Sequence, residues 1–459
     1  MKNLSACEEN IMGMLEIEDI IAATKGKVIH GNITSFTGVS IDSRTIKEGE
    51  LFIPLKGERF DGHDFLKEAL RTGGGALVNF PGVEPVNNKT IVCVKDTLKA
   101  LQDIARYIRS RRNIPVIGVT GSNGKTTTKE LIASVLNERY RVLKNTGNLN
   151  NHIGLPLSLV KLSETDEVVV LEMGASAPGD IRQLCRIALP DYGVLTNISQ
   201  AHLEGFRDIQ TVTKAKLELL DYCGSIVVNS DDPLLMEGIR DSGFKGRLIR
   251  YGIKNYGEIY ASDIKLSESG SKFLLHTEDN YVEVHPKISG AFNIYNILAA
   301  ASVGYLFNLD LTDIKNVVDS FTGIPMRFEL KEFRGVRIIN DVYNANPGSI
   351  EEAVKELIRL GKGRVIVVLG DMLELGSYAE QAHKRLGRWM SELPIDIFIA
   401  VGPLMSLAAS EFSGIVYKFQ NSIEAGGLLR EICTKGDTVL IKGSRGMRME
   451  RILEAWNAL

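Results

Sequence analysis

The stretch from Val116 to Ile132, VIGVTGSNGKTTTKELI, has the residues and the spacing of a phosphate-binding turn. Glycines let the backbone curl so that successive N–H groups point inward, and the helix that follows adds its positive N-terminal end. A strict Walker A motif needs a glycine where this chain has Val119, so the turn is a compressed form of that motif. Lys125 supplies a charge for the β and γ phosphates and Thr126 a hydroxyl for Mg²⁺. The pattern predicts ATP binding by Gly121, Ser122, Asn123, Gly124, Lys125, Thr126 and Thr127.

A carboxylate follows a second apolar run. Glu172 comes directly after VVVL, at the carboxyl end of a predicted strand, and ligands collect at that edge of open α/β sheets. Taken alone, such a residue would more often be a solvated strand end. Beside a phosphate turn, we expect Glu172 to hold Mg²⁺ facing Thr126.

The elements that must position these residues indicate an α/β protein of three domains. At 459 residues, a prior of roughly 150 residues per domain gives about three. The middle third alternates strands and helices, which is typical of a mostly parallel sheet, and the pattern restarts after FTGIP. We predict a small α/β domain at residues 1–110, a P-loop-type domain with a mostly parallel sheet at 111–323, and a Rossmann-like α/β domain at 324–459.

Composition excludes several functional classes. The net charge of -3 argues against general nucleic-acid binding, which needs a basic surface. Five scattered cysteines without a CxxC pair fit reduced thiols in the cytoplasm. No apolar run approaches the roughly 18 residues that span a bilayer, so no membrane partner is expected. The polar first residues do not resemble a signal peptide, and translation could start at Met1 or at Met14.

The order of the motifs resembles that of the ATP-dependent Mur ligases of bacterial peptidoglycan synthesis. GVTGSNGKTTTKE is followed by NTGNLNNHIGLP, VVVLEMGAS, TNISQAHLEGF and KAKLELL, and the resemblance covers residues 15–459. It implies that the first domain binds a UDP-muramoyl peptide and that the chain is a ligase. Within the family, DVYNANPGS and SRGMRME look most like members that add D-alanyl-D-alanine to UDP-N-acetylmuramoyl-tripeptide.

The resemblance implies two further residues near the metal. His202 would bind a second Mg²⁺ ion, although this hard cation prefers oxygen ligands and a lone loop histidine is usually incidental. Lys216 would be carbamylated, which turns a cation into a carboxylate-like anion. A surface lysine is the plain alternative, and the sequence does not fully settle Lys214 against Lys216.

The same resemblance implies contacts to the nucleotide from two domains. Asn293 and Asn296, three residues apart on one predicted helix, would contact adenine, although Asn293 could instead be a helix cap. From the third domain, an arginine would reach phosphate and an aspartate ribose. The residues are Arg327, Asp341, Asn344 and Asn346. For the asparagines, a turn before Pro347 is a nearly equal alternative.

Substrate contacts complete the predicted site. Ser43 and Arg44 resemble the uridine-nucleotide signature, although Arg44 could be a surface ion-pair residue. Thr146, Asn148 and Asn150 would line the sugar-phosphate of the same substrate. Lys442, Ser444 and Arg445 would form a loop that catches a peptide carboxylate, a group that an arginine fork suits.

Together these features predict an ADP-forming ligase that works as a monomer with small-molecule substrates, ATP and Mg²⁺. We expect an acyl phosphate to form on the tripeptide carboxylate before the dipeptide amine attacks. The alternatives are a related ligase that adds a single amino acid or glutamate to folate, and a P-loop regulatory ATPase. The folate enzyme has no need of a uridine-type first domain, and the ATPase would turn over without peptide substrates.

Overall fold

The computed structural model describes residues 14–457. The choice between Met1 and Met14 as the start concerns a segment that lies outside these residues. Within residues 14–457 the strands form a short pair and three larger sheets, of five, nine and six strands in chain order. We call these the first, middle and third sheets. The α/β class, the three successive domains and the mostly parallel sheets are confirmed.

The first domain contains the short pair and the first sheet. Its strands are β1 (Leu15–Glu16), β2 (Lys27–His30), β3 (Ser35–Phe36), β4 (Gly38–Ser40), β5 (Glu50–Phe52), β6 (Gly75–Val78) and β7 (Thr90–Cys93). Its helices are α1 (Ile17–Thr24), α2 (Leu66–Thr72) and α3 (Thr97–Ser110). Strands β4 to β7 run parallel, and β2 pairs antiparallel with β7. The Asp96 side chain starts α3 by accepting from the Lys99 N–H at 2.7 Å, a standard N-cap.

The middle domain carries the phosphate turn. Its strands are β8 (Val116–Thr120), β9 (Val142–Lys144), β10 (Val168–Glu172), β11 (Tyr192–Leu195), β12 (Ser225–Asn229), β13 (Arg247–Gly252), β14 (Ile259–Ser267), β15 (Gly270–His276) and β16 (Tyr281–Val284). Its helices are α4 (Lys125–Leu136), α5 (Gly154–Leu159), α6 (Asp180–Ala188), α7 (Leu203–Phe206), α8 (Ile209–Leu217), α9 (Pro233–Ser242), α10 (Ala291–Leu306) and α11 (Leu311–Ser320). The sheet is parallel except where β15 and β16 extend it as antiparallel strands.

The third domain is a second, separate α/β layer. Its strands are β17 (Glu329–Phe333), β18 (Val336–Asp341), β19 (Val365–Gly370), β20 (Ile397–Val401), β21 (Ile415–Phe419) and β22 (Thr438–Lys442). Its helices are α12 (Pro347–Leu360), α13 (Ala379–Ser391), α14 (Pro403–Ser410), α15 (Ser422–Ile432) and α16 (Glu450–Asn457). Only the edge strand β17 runs antiparallel to its neighbour in this sheet of the described chain.

The topology of the middle sheet explains where its site lies. The chain leaves β8 through α4 toward β9 and β10 on one side, then returns to β11 on the other, so β8 is a switch point. Crevices outside the carboxyl ends of strands at such a point are where open α/β sheets bind ligands. The apolar face of α4, which includes Leu131, Ile132 and Val135, is fully buried and fixes the helix behind the turn.

The predicted divisions at 110/111 and 323/324 fall between the three sheets, and as exact boundaries they stay predictions. No helix in the described part of the chain is long and apolar enough to cross a membrane.

Candidate active site

A cleft of about 930 Å³ lies between the middle and third domains. The carboxyl ends of β8, β10 and β11 form one wall, and the segments after β18 and β19 form the other. The structure brings most of the predicted nucleotide, metal and substrate residues to this cleft. They are Ser122, Asn123, Gly124, Lys125, Thr126, Thr127, Asn148, Asn150, Glu172, His202, Asn293, Asn296, Arg327, Asp341, Asn344, Asn346, Lys442 and Arg445.

Two glycines of the phosphate turn are required by its backbone. Gly124 has φ +77°, in the left-handed region, and a Cβ there would lie 2.4 Å from Asn296 Oδ1. Gly121 has φ +148°, and a Cβ there would lie 2.0 Å from Thr196 Oγ1. A side chain at either position would clash, so the compressed motif keeps glycine where the curl of the backbone needs it.

The turn is held from behind by the segment after β11. The Ser122 N–H donates to the Asn197 carbonyl at 2.8 Å, and the Asn123 N–H donates to Asn197 Oδ1 at 3.0 Å. The Thr196 hydroxyl donates to the Asn123 carbonyl at 2.7 Å. Sequence reasoning missed Thr196 and Asn197. The available signal was a strand, YGVL, running straight into the polar residues TNIS.

Lys125 lies over the turn that it follows. Its ammonium donates to the carbonyls of Gly121 at 2.9 Å and Ser122 at 3.0 Å. Burial lowers the pKa of Lys125, and the nearby Glu172 carboxylate partly opposes that shift. The lysine is therefore a desolvated point charge at the mouth of the turn, where it can meet the outer phosphates of a nucleotide.

Glu172 is buried at the end of β10 with one oxygen occupied and one not. Its Oε1 accepts from Asn150 Nδ2 at 2.7 Å, while its buried Oε2 has no hydrogen-bond partner among the described residues. An unpartnered buried carboxylate oxygen is costly, and a hard cation satisfies it well. Among residues 14–457 no three His, Cys, Asp or Glu side chains cluster as a metal site, so a cation here would also need Thr126 and phosphate oxygens. Glu172 Oε2, the Thr126 hydroxyl and phosphate oxygens together are oxygen ligands of the kind that Mg²⁺ prefers.

His202 lies on the same side of the cleft, at the start of α7. Its backbone is left-handed, with φ +54°. Its Nδ1 lies 2.5 Å from Oε2 of Glu374, a residue of the third domain that the sequence did not single out. The His202 contact lowers the pKa of the Glu374 carboxyl.

Lys216 is buried near the end of α8, whereas Lys214 on the same helix is exposed. The Lys216 ammonium lies 3.4 Å from the Ala175 carbonyl and 5.5 Å from the centre of the Phe206 ring. Burial is the main cause that lowers the pKa of Lys216 to about 7, followed by the charge of Lys125. The plain reading as a surface lysine therefore fails for Lys216 and holds for Lys214.

Two side chains of the third domain reach the phosphate turn. Arg327 Nη2 donates to Thr126 Oγ1 at 3.1 Å, and its guanidinium carbon lies 3.7 Å from the centre of the Tyr343 ring. Asn346 Nδ2 donates to Asn123 Oδ1 at 2.7 Å. Asn346 is also the N-cap of α12, where it forms a capping box with Ser349, so besides the contact its local role is to begin a helix rather than to form a turn.

The three residues predicted to form a carboxylate-binding loop, Lys442, Ser444 and Arg445, do not all lie in an exposed loop. Lys442 is the last residue of β22, buried, and its ammonium donates to Asp341 Oδ2 at 2.6 Å and to the Asn344 carbonyl at 2.9 Å. Ser444 is also buried, and its hydroxyl oxygen accepts from the Leu373 N–H at 2.8 Å. Of the three predicted residues, Arg445 alone is largely exposed and close to the cleft, at 6.0 Å from Tyr343. The Lys442 pair also occupies one oxygen of Asp341, and the role of all four residues stays a prediction.

The asparagine pair on α10 supports the turn from below. Asn296 Oδ1 accepts from the Thr128 hydroxyl at 3.1 Å, and Asn296 Nδ2 donates to Asn293 Oδ1 at 3.0 Å. Asn293 in turn donates to the Ser289 carbonyl at 2.7 Å. Because Gly290 is the N-cap of α10, the alternative that Asn293 caps this helix is wrong. Their predicted contact with adenine stays a prediction.

The remaining predicted substrate residues do not line the cleft. Ser43 donates to Glu68 at 3.0 Å, and Arg44 forms an ion pair with Asp42 at 2.6 Å, as its plain alternative proposes. Thr146 is exposed, just before the cleft residues Asn148 and Asn150. Within residues 14–457 the cysteines are free thiols, as the sequence predicts.

Models of known protein families match the chain in three consecutive parts. The model described as "Mur ligase family, catalytic domain" matches residues 35–109, "Mur ligase middle domain" matches 119–304, and "Mur ligase, glutamate ligase domain" matches 326–445.

Individual relatives match over nearly the whole chain. The UDP-N-acetylmuramoyl-tripeptide–D-alanyl-D-alanine ligase of Bacillus subtilis (strain 168) is 37% identical, covering 95% of this chain and 97% of that one. The crystal structure of MurF from Acinetobacter baumannii superimposes with a TM-score of 0.89 at 30% identity, over 97% of this chain and 99% of that one. The MurF ligase from Thermotoga maritima in complex with ADP gives 0.81 at 31% identity, over 91% and 96%. The chain therefore belongs to the Mur ligase family.

Proposed function

We propose that the chain is an ATP-dependent ligase that joins D-alanyl-D-alanine to the terminal carboxylate of UDP-N-acetylmuramoyl-tripeptide and releases ADP and phosphate. The full-length similarity to ligases named for this reaction supports the choice of substrates. The observation that carries the chemistry is the phosphate turn with Lys125 over it and the unpartnered Glu172 oxygen beside it. That combination can bind a nucleotide by its outer phosphates and hold a cation against them.

The mechanism follows from the low reactivity of a carboxylate as an acyl donor. Its leaving group would be oxide, so an oxygen of the tripeptide carboxylate first attacks the γ-phosphorus of ATP, and ADP leaves. The resulting acyl phosphate then loses phosphate when the amine of the dipeptide attacks its carbonyl carbon and gives up a proton. Negative charge develops on phosphate oxygens in both steps. Lys125 and Arg327 are cations at the phosphate turn, one from each side of the cleft, and would stabilise that charge.

Thr126, Glu172 and His202 are the residues that would hold Mg²⁺. The cation would neutralise phosphate charge and orient the in-line displacement. Asn150 already fixes one Glu172 oxygen at 2.7 Å, so the other oxygen keeps one direction. The buried wall around Glu172 excludes water and strengthens each of these contacts.

The Lys216 side chain is itself suited to carbamylation. An amine whose pKa lies at about 7 is half neutral at neutral pH. Its free lone pair can attack the carbon of CO₂, forming an N–C bond while a C=O electron pair moves to oxygen and the nitrogen loses a proton to water. The carbamate that forms is an anion, and a cleft that gathers Lys125, Arg327 and a divalent cation would stabilise it better than the ammonium.

Residues of all three domains would bind the two peptide substrates. Arg445 is the exposed guanidinium at the third-domain rim and would pair with the carboxylate of D-alanyl-D-alanine. Ser43 and Arg44 would bind the uridine nucleotide in the first domain. Asn148 would bind the sugar-phosphate between these ends. Because one chain supplies both walls of the cleft, we propose a monomer that acts in the cytoplasm, where nucleotide-linked precursors and ATP occur together.

A phosphate-release panel tests the function. The purified chain would be given ATP and Mg²⁺ with UDP-muramoyl peptides of different length, each with D-alanyl-D-alanine or a single amino acid. We expect phosphate release only with the tripeptide and the dipeptide together, and a pentapeptide product by mass spectrometry. Equal ATP cleavage without peptides would favour a regulatory ATPase, and release with a single amino acid would favour a related ligase.

A further inference from the structure

A side-chain amide continues the pairing of β10 beyond the end of its neighbour β9. The two strands pair as far as Lys144, which lies opposite Val170, and β10 then runs on to Glu172. Asn145, the residue after β9, is buried, and its side chain takes the place of the missing strand. Its Oδ1 accepts from the Glu172 N–H at 2.9 Å, and its Nδ2 donates to the Glu172 carbonyl at 2.9 Å. One side chain therefore binds both main-chain polar groups of Glu172.

The set of bonds matches an amide and no other group of this size. Nδ2 uses its second hydrogen to donate to the Leu149 carbonyl at 2.8 Å, so it meets two carbonyls while Oδ1 meets an N–H. Turning the amide over would set nitrogen against an N–H and oxygen against both carbonyls. A carboxylate would also put an oxygen against those carbonyls, and an apolar side chain would leave all three main-chain groups without this partner.

Asn145 is itself fixed by a buried lysine that has no part in the proposed chemistry. The Lys129 ammonium, fully buried on α4, donates to the Asn145 carbonyl at 2.5 Å and lies 2.7 Å from Glu130 Oε1. A buried ammonium is costly unless it is both paired and hydrogen-bonded, and here it is both. Because α4 begins at Lys125, this bond connects Asn145 to the helix behind the phosphate turn.

The loop after Asn145 closes around the same strand end. The Leu149 carbonyl is bonded to the Asn145 amide, and the next carbonyl, that of Asn150, accepts from the Gly174 N–H at 2.8 Å. The Asn150 side chain in turn donates to Glu172 Oε1. The main chain and the carboxylate of Glu172 are thus both bonded to one short segment, which leaves Oε2 as the oxygen without a partner among the described residues.

We propose that Asn145 is a positioning residue for the cation site: its amide holds the end of β10 and the loop at residues 146–150 as one unit, so that Glu172 Oε2 keeps a fixed direction in the cleft. Asn145 does not line the cleft, so it acts through Glu172 and the loop. The identity of the cation as Mg²⁺ rests on the proposed function, whereas the hold on Glu172 does not.

Two variants of the same shape separate hydrogen bonding from packing. Asn145→Thr keeps a hydroxyl that can accept from the Glu172 N–H, and Asn145→Val has a methyl group in its place. Mn²⁺ binding with ADP would be followed in the full chain by electron paramagnetic resonance. Loss of an outer partner of a ligating group typically weakens metal binding 10–100-fold, so we expect roughly 10-fold weaker binding in Asn145→Val and a smaller loss in Asn145→Thr.

Asn421→Ala is the control for a general loss of stability. Asn421 is the exposed N-cap of α15, and its Oδ1 accepts from the Ile423 and Glu424 N–H groups at 3.1 Å each. It also bonds a side-chain amide to the main chain, but in the third domain and away from the cleft. Its variant should lose the helix cap and still bind Mn²⁺ as the unaltered chain does.

Hydrogen exchange gives a readout that needs neither metal nor activity. In the chain without nucleotide, the Glu172 and Gly174 amides should exchange faster in Asn145→Val than in Asn145→Thr. In Asn421→Ala they should exchange as in the unaltered chain. Unchanged exchange of both amides in Asn145→Val would mean that the Asn145 side chain does not hold this strand end, and would overturn the proposal.

The Mn²⁺ measurement can overturn the proposal independently. It fails if Asn145→Val binds Mn²⁺ as tightly as the unaltered chain, or if Asn145→Thr loses as much affinity as Asn145→Val. Should Asn145→Val not fold, Asn145→Thr is compared with the unaltered chain, and equal affinity there has the same meaning. If both readouts shift as expected but no peptide bond is made with any muramoyl peptide, the proposed function fails and the role of Asn145 stands.

Discussion

The two walls of the cleft are built differently. On the middle-domain wall, the phosphate turn is held within one domain: the main-chain N–H groups of Ser122 and Asn123 donate to the carbonyl and to the side-chain Oδ1 of Asn197. On the third-domain wall, three side chains reach across: Arg327 to Thr126, Asn346 to Asn123, and Glu374 to His202.

This difference separates contacts that persist from contacts that can break and form again. Bonds from main-chain N–H groups to a partner in the same domain persist as long as the sheet of that domain does. A side-chain hydrogen bond contributes a net of roughly 0.5–1.5 kcal/mol, so a few of them can break and form again while each domain stays folded. We therefore expect the middle wall to hold the chemistry and the third wall to open and close over it.

The first prediction removes the charge of the fixed wall. Replacing Lys125 by alanine should lower kcat/KM by roughly 10³-fold, because one preorganised charge at developing phosphate oxygens has effects of about this size. Phosphate release with both peptides measures it. Lys161→Ala, at an exposed lysine of the same domain, serves as the control and should behave like the unaltered chain. A loss of less than tenfold would mean that Lys125 does not face the reacting phosphates.

The second prediction concerns the buried lysine behind that wall. In Lys216→Ala we expect activity to fall roughly 10²-fold, a loss of about 2.7 kcal/mol in transition-state stabilisation, with partial recovery in added acetate. The pKa of about 7 sets the pH dependence of the unaltered chain. Below that pH only a minor fraction of the amine is neutral, so the carbamate forms incompletely. Added bicarbonate, which raises the CO₂ concentration, should therefore stimulate most toward pH 6 and least toward pH 8, where the modification is already nearly complete.

Lys214→Ala is the matched control for this lysine, since Lys214 is exposed on the same helix. Full activity of Lys216→Ala without any carboxylate would remove the carbamate proposal.

The contrast between the walls also marks how far the sequence alone could predict the site. Gly121, Lys125 and Glu172 are local signals, because a strand, a glycine turn and a helix are written in consecutive residues. The middle sheet follows from the same alternation of apolar runs. Residue types and spacing were thus enough to place the turn and Glu172 on the fixed wall, but not Thr196 and Asn197, which hold the turn from behind.

The sequence did not predict the contacts across the cleft as well. Glu374 and Tyr343 lie in loops whose place depends on how two domains meet, and no periodicity reports that. Lys442 looked like a loop cation, but it ends β22 and is paired with Asp341, because the strand extends one residue further than its apolar run. The antiparallel strands β15 and β16 were also missed, since their long-range pairing leaves only short apolar patterns.

A third prediction probes the backbone of the fixed wall. Gly124→Ala puts a Cβ 2.4 Å from Asn296 Oδ1 at a residue with φ +77°. We expect a loss of roughly 1–3 kcal/mol in the free energy of unfolding, from strain of this kind, together with weaker ADP binding. Denaturant unfolding and calorimetric titration measure the two.

Gly427→Ala is the control for that substitution, because a Cβ there meets nothing within 4 Å and the residue lies inside α15. It should be neutral or stabilise the chain by up to about 1 kcal/mol through helix propensity. Equal stability of the two variants would mean that the phosphate turn can adjust to a side chain at residue 124 and is not a rigid part of the wall.

The smallest effect is expected on the third wall, at the ring beneath Arg327. Tyr343→Ala removes the face on which the guanidinium lies at 3.7 Å. A cation–π contact contributes roughly 0.5–2 kcal/mol, so the KM for ATP should rise about 2- to 30-fold while stability changes little. Tyr343→Phe keeps the ring and should stay close to the unaltered chain. Equal losses in both variants would assign the effect to the hydroxyl, and no loss in either would mean that Arg327 reaches the turn without support from this ring.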